Sequence, residues 1–167
     1  MHLLVIRHGL AGDREEFAKT GRPDDERPLT PKVRRRMRRN ARGLRTLVPS
    51  LDLLATSPLV RAVQTADAVA DAYDEPEPVT RDELRPESAL EAVAAWLRAL
   101  PADHTIAVVG HEPHLSRLVS WLLAGEDRSL VRLAKGGACL LSFEGAPARD
   151  CATLEWLLQP RQLRALD

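Results

Sequence analysis

Cysteine is scarce in this chain. Its 167 residues hold two, Cys139 and Cys151. They lack Cys-x-x-Cys spacing, so they support neither a disulfide framework nor a zinc signature, and a cytoplasmic location is expected. Long hydrophobic runs are missing too. None reaches the roughly 18 residues of a membrane span, and Arg7 and His8 break the N-terminal apolar stretch early, so neither a membrane anchor nor a secretory signal is expected. Net charge is also lacking, because 24 Lys and Arg balance 24 Asp and Glu. That balance argues against whole-surface binding to nucleic acid but allows a local basic pocket. There is no internal repeat and no low-complexity linker. Apolar residues make up 44% of the chain, enough for a core, and the length suits a single domain spanning 1–167.

Hydrophobic periodicity supplies the elements. Residues 2–6 (HLLVI), 51–58 (LDLLATSP) and 104–110 (HTIAVVG) read as buried strands. Residues 9–28 read as a long loop with one helical turn near 15–19. "LTPKVRRRMRRNARGLRTLV" reads as a helix with Thr30 as N-cap and Pro31 at its first position. Val33, Met37, Ala41, Leu44 and Val48 form its apolar face. "PLVRAVQTADAVADAY" is a second helix, with Val60, Val63, Ala66, Val69 and Ala70 expected inward. A polar segment follows from Asp74 to Pro86. Ser88 and Glu91 form a capping box opening a third helix, with Leu90, Val93, Ala94 and Leu97 inward and Pro101 ending it. "EPHLSRLVSWLLAG" is a fourth helix closed by Gly125. Residues 138–143 and 152–158 are late strands that form a hairpin or an antiparallel edge. Strands alternating with helices predict an α/β fold: a three-layer sandwich with a mostly parallel central sheet.

Ligands of such sheets bind beyond the carboxyl ends of the strands. Arg7, His8 and Gly9 follow the first strand. Arg61 sits in the first helical turn after the second. Gly110 and His111 end the third. Any one of these pairs alone is an ordinary solvated strand end; their convergence on one edge predicts an anion site. Arginine forks grip phosphate oxygens and stabilise charge spread over them in a transition state. A neutral imidazole can attack phosphorus. The helix N-terminus at 58–61 adds backbone donors, and Gly9 is expected to let the chain leave the pleat so that Arg7 and His8 share a pocket. With enough cations around the phosphoryl group, neither a metal nor another cofactor is needed.

"RHG" after an N-terminal strand, "TSPLVRAVQTA" and "VVGHEPHLSRLV" resemble the histidine phosphatase superfamily, which includes the phosphoglycerate mutases. With "DDERPLTPKVRRRM" and "LEWLLQPRQL", the chain most resembles the SixA-type phosphohistidine phosphatase subgroup along nearly its whole length. The resemblance implies a phosphoglycerate mutase-like fold, with His8 as the phosphorylated nucleophile and Arg7, Arg61 and His111 binding the phosphoryl group. The mutase branch follows RHG with Glu and Ser or Thr. Leu10, Ala11 and Gly12 stand here, which puts mutase activity in doubt. Many members carry an acid that protonates the leaving oxygen. "RDELRPES" offers Asp82, Glu83 and Glu87, and Glu83 matches best by pattern; an exposed or ion-paired carboxylate is its plain alternative. An imidazole leaving group has little need of that acid, since it takes up a proton near pH ~6.5.

Other residues carry paired readings. Arg27 either rims the pocket and contacts substrate or forms a salt bridge. In "AKGGA", Lys135 either approaches the phosphate or belongs to a simple turn. His114 is read as solvent-facing, and His2 and His104 as structural. "RRRMRRNARGLR" is read as a solvated helix face, compensated by "DDE", rather than as a nucleic-acid arm. The expectation is a phosphatase acting through a phosphohistidine intermediate on phosphohistidine in a protein, such as a histidine phosphotransfer domain. The alternatives are a phosphatase of a small phosphomonoester and a non-catalytic phosphoprotein-binding module.

Overall fold

The computed structural model describes residues 1–74 and 77–167; Glu75 and Pro76 of the polar segment lie outside the described residues. One six-stranded sheet organises the chain. The strands are β1 (His2–Arg7), β2 (Leu53–Thr56), β3 (Val79–Thr80), β4 (Thr105–Gly110), β5 (Ala138–Phe143) and β6 (Ala152–Leu158). Their spatial order is β3-β2-β4-β1-β5-β6. The first four are mutually parallel. Strand β5 runs antiparallel to β1, and β6 antiparallel to β5. The late strands therefore form the antiparallel edge. The short strand β3 was invisible to periodicity because both its residues are exposed.

The helices are α1 (Arg14–Ala18), α2 (Pro31–Leu47), α3 (Val60–Tyr73), α4 (Leu90–Arg98), α5 (His114–Ala124) and α6 (Pro160–Leu163). Side chains alternate across a strand, and β1 divides its residues accordingly. Leu3 and Val5 join the core under α4 and α5. Leu4 and Ile6 join the one under α2, α3 and α6. This is the three-layer α/β sandwich. Thr30 caps α2, its Oγ1 accepting from the Val33 amide at 3.3 Å. The five apolar positions expected on that helix are all buried. Gly125 ends α5 in the left-handed conformation at φ 69°.

Three local expectations fail for physical reasons. Ser88 does not cap α4: the cap position is Ala89, without a side-chain bond. The Ser88 hydroxyl instead donates to the Asp82 carbonyl at 2.7 Å, closing the preceding 3-10 turn over Asp82–Leu84. On α3, Val60, Val63 and Ala70 are only half-buried, while Arg61, Ala62, Thr65, Ala66, Ala68 and Val69 are buried. The buried face is rotated because Arg61 and Thr65 turn inward to serve the strand ends, which an apolar count does not register. Finally, "DDE" does not compensate the arginine run of α2. Asp24 pairs with Arg14, Arg27 and Arg61, Asp25 with Arg85, and Glu26 with Arg22.

Candidate active site

The parallel strand ends are tied together by backbone bonds. The His8 amide donates to the Gly110 carbonyl at 3.0 Å, and the Ser57 amide to the Val109 carbonyl at 2.9 Å. These bonds bring the residues after β1, β2 and β4 to one edge. Beyond His8 the chain leaves the sheet, and the Gly9 amide donates to Thr65 Oγ1 on α3 at 3.1 Å. The Thr65 hydroxyl donates in turn to the Arg61 carbonyl at 2.8 Å. Gly9 has no left-handed backbone. It is required for close packing: a Cβ there would lie 2.8 Å from Val33 Cγ1 and 3.0 Å from Met37 Cγ. The expected hinge is a point where α2 presses on the strand end.

His8 and His111 face each other with ring centroids 4.9 Å apart. Both are buried. His8 Nδ1 lies 2.6 Å from the Gly9 carbonyl. A carbonyl only accepts, so Nδ1 carries the proton and Nε2 keeps its lone pair. His111 Nε2 bonds the Ser57 hydroxyl at 2.8 Å, while its Nδ1 is buried without a partner among the described residues. Burial lowers the His8 pKa to about 4, helped by the Arg61, Arg7 and Lys135 charges against the opposing Gly9 bond. Burial, then the His8 and Arg61 charges, lowers that of His111 to about 3. Both rings are neutral near pH 7.

The arginines are held from behind. Arg7 Nη1 donates to the Leu133 carbonyl at 2.7 Å, and its Nε is buried without a partner among the described residues. Arg61 Nη1 donates to the Asp24 carbonyl at 2.9 Å and lies 3.4 Å from Asp24 Oδ2. Arg27 Nε donates to Asp24 Oδ1 at 2.8 Å, and its Nη1 to the Gly12 carbonyl at 2.8 Å. Arg27 is thus salt-bridged, as its plainer reading expected, and Asp24 joins it to Arg61. Lys135 precedes the glycine turn that its plainer reading expected. Gly136 and Gly137 form a turn that clasps Arg7, with the Gly136 amide on the Arg7 carbonyl at 3.0 Å and the Arg7 amide on the Gly137 carbonyl at 3.1 Å. Burial, then the Arg7, Arg27 and Arg61 charges, lowers the Lys135 pKa.

The other candidates fall elsewhere. Glu83 pairs with Arg81 at 3.6 Å and lines an open cleft of about 460 Å³ with Thr80, Arg81, Asp82 and Ser88. None of the four convergent residues lines that cleft. Asp82 bonds Arg85 at 2.9 Å. His114 is fully buried rather than solvent-facing, with both ring nitrogens unpartnered among the described residues. It stands in the first turn of α5, near enough to His111 for its charge to act on that ring.

Sequence reasoning passed over four site residues: Ser57, Thr65, Asp24 and Glu112. All lie inside stretches singled out for other residues, but a polar side chain that braces another leaves no periodic mark. Glu112 is half-buried beside Arg7. Burial raises its carboxyl pKa, against the Ser116 bond and the Arg7 charge.

A family model described as "Histidine phosphatase superfamily (branch 1)" matches residues 3–89, over half of the chain. The chain belongs to the histidine phosphatase superfamily. An uncharacterised protein of Picosynechococcus is 36% identical over 139 residues, covering 82% of each chain. Phosphohistidine phosphatase SixA of Escherichia coli K12 is 27% identical over 167 residues, covering 98% of this chain and 97% of its own. A structure of the protein histidine phosphatase SixA complexed with tungstate superposes with a TM-score of 0.83 at 26% identity, covering 98% of this chain and 99% of that one. For this superfamily member the likeness supports phosphatase activity and the phosphoglycerate mutase-like fold.

Proposed function

We propose that this superfamily member is a phosphohistidine phosphatase that works through a phosphorylated His8. The observation that carries this reading is the bond from His8 Nδ1–H to the Gly9 carbonyl, at 2.6 Å, in a ring crowded by cations. It presents Nε2 as an unprotonated nucleophile at neutral pH. In the first step the Nε2 lone pair attacks phosphorus. The substrate P–N bond breaks with its electron pair going to the ring, which, already protonated from solvent on its other nitrogen, leaves as neutral imidazole. In the second step water attacks the same phosphorus and gives up a proton to solvent, the His8–phosphorus bond breaks with its electron pair returning to Nε2, and inorganic phosphate departs.

Arg7 and Arg61 neutralise charge on the phosphoryl oxygens in both steps, with Arg27 and Lys135 at the rim. Burial is the main cause that keeps His111 neutral, and a bound dianion offsets the smaller part set by the surrounding positive charges. His111 then becomes a better donor as negative charge accumulates. The leaving group favours phosphohistidine over an alkyl ester. An imidazole accepts a proton near pH ~6.5, and the carboxylate best matched to the acid role, Glu83, is engaged with Arg81. The similarity to SixA, named a phosphohistidine phosphatase and solved with the oxyanion tungstate, supports the same reading.

The test is to mix the protein with a ³²P-labelled phosphohistidine peptide and quench in alkali, where phosphoramidates survive. Label is expected within segment 1–14, and none in His8→Asn. Label on His111 instead, or turnover of sugar phosphates with none of phosphohistidine, would overturn the proposal.

A further inference from the structure

The arginines of α2 divide into two sets. Toward α3, Arg38 bonds Asp71 at 3.2 Å and Arg45 bonds Asp74 at 2.9 Å, across a groove of about 520 Å³. On the other flank, toward α6, Asp167 pairs with Arg39 and Arg42, and the remaining cations between α6 and the site are uncompensated. Arg36, Arg132, Lys135 and Arg161 are exposed and Arg164 is half-buried. Among the described residues none of the five has a carboxylate within salt-bridge distance. In a chain of zero net charge this is a strong local asymmetry.

The five cations are joined to the site by a short path. Arg164 Nη1 donates to Asn40 Oδ1 at 2.9 Å, and Asn40 Nδ2 donates to the Gly136 carbonyl at 2.8 Å. The Gly136 amide holds the Arg7 carbonyl. Arg36, Arg39 and Arg161 crowd Arg164 closely enough to weaken its hold on its proton, after burial itself. Arg132 acts on Arg7 in the same direction, and its carbonyl lies 3.5 Å from Gln159 Nε2, at the start of α6. The uncompensated cations therefore run from the phosphoryl pocket toward α6, as far as the Asp167 carboxylate held by Arg39 and Arg42. Leu10, two residues after His8, is 50% exposed where they begin. Cations around an exposed apolar contact are the usual makeup of a protein interface rim and centre.

We propose that this surface docks the acidic face of the phosphorylated protein substrate, so that charge around the phosphohistidine, and not the phosphoryl group alone, selects it. The proposal rests on the phosphohistidine phosphatase reading. An acidic protein fits better than a nucleic acid. The cations border one mouth beside an exposed leucine, and the neutral chain lacks the overall positive charge that draws a polyanion from a distance.

The probes are free phosphohistidine and two phosphohistidine peptides, one flanked by glutamates and one by serines. Wild type should prefer the glutamate peptide, and the preference should fade as salt rises. Arg36→Glu/Arg161→Glu should lower kcat/KM for the glutamate peptide on the order of tenfold and leave free phosphohistidine within about twofold. Arg36→Gln/Arg161→Gln should fall between. Equal losses on all three substrates, or no preference in wild type, would overturn the docking surface. So would tighter binding of a DNA duplex than of the glutamate peptide. Absence of turnover on every phosphohistidine probe would count against the phosphatase reading instead. Docking is then read separately, from binding of the fluorescent unphosphorylated glutamate peptide to His8→Asn, and no binding there would overturn it.

Discussion

Protonating His8 should cost the protein stability, and the structure sets the amount. Burial holds its pKa at about 4 in the folded chain, against 6.5 for an unperturbed histidine. Above pH 6.5 both folded and unfolded chains carry a neutral ring, and stability is at its full value. Between about pH 6.5 and 4 the unfolded chain binds a proton that the folded chain does not, so stability falls as pH falls. Below about 4 both forms are protonated and His8 adds no further loss. At roughly 1.36 kcal/mol per pH unit this amounts to ~3 kcal/mol, a large share of an ordinary domain's stability. His111 is depressed for the same reason and adds a slope of the same sign. The assay is urea unfolding of wild type and His8→Asn at half-unit steps from pH 7.5 to 4. Wild type should lose about 3 kcal/mol more than the variant across that window. In ¹⁵N-imidazole spectra His8 should show the Nδ1–H tautomer, with a midpoint near 4. Parallel pH slopes in the two proteins, an Nε2–H tautomer or a midpoint near 6.5 would each refute the reasoning.

Two further outcomes follow from the site. Arg61→Ala and Arg7→Lys should each reduce kcat by on the order of 10²-fold or more, since a single ammonium cannot replace a bidentate fork; steady-state turnover measures this, and near-wild-type Arg61→Ala would mean that α3 does not serve the reaction. Glu83→Gln should leave hydrolysis of both phosphohistidine and an alkyl phosphate within about threefold, because Glu83 is engaged with Arg81; a loss of roughly 10²-fold or more on either substrate would give it the acid role and refute this reading.

Much of the architecture was legible because it rests on local pattern. Runs such as Leu3–Ile6 and Ile106–Val109 are buried on both faces of the sheet, so their length and apolarity alone mark parallel strands. Val33, Met37, Ala41 and Leu44 mark α2 through a single period. Parallel sheets also gather their strand ends at one edge, so the meeting of Arg7, His8, Arg61 and His111 was implied by chain order before any coordinates. Local reasoning failed where a residue's partner lies far along the chain. Asp24 binds Arg61 at a separation of 37 residues. The β1 end is clasped by the 136–137 turn, and Gly9 is set by the approach of α2 rather than by its own backbone.

The sequence by itself determined the α/β class, the strand-end chemistry and the superfamily, because apolar periodicity and the motifs at the strand ends are written in consecutive residues. Only the tertiary structure decided the tautomer of His8, the burial of His114, the pairing of Glu83 with Arg81 and which of the α2 arginines find a carboxylate. Each depends on which charge or carbonyl comes within a few ångströms, and folding sets those distances between residues that the chain keeps far apart.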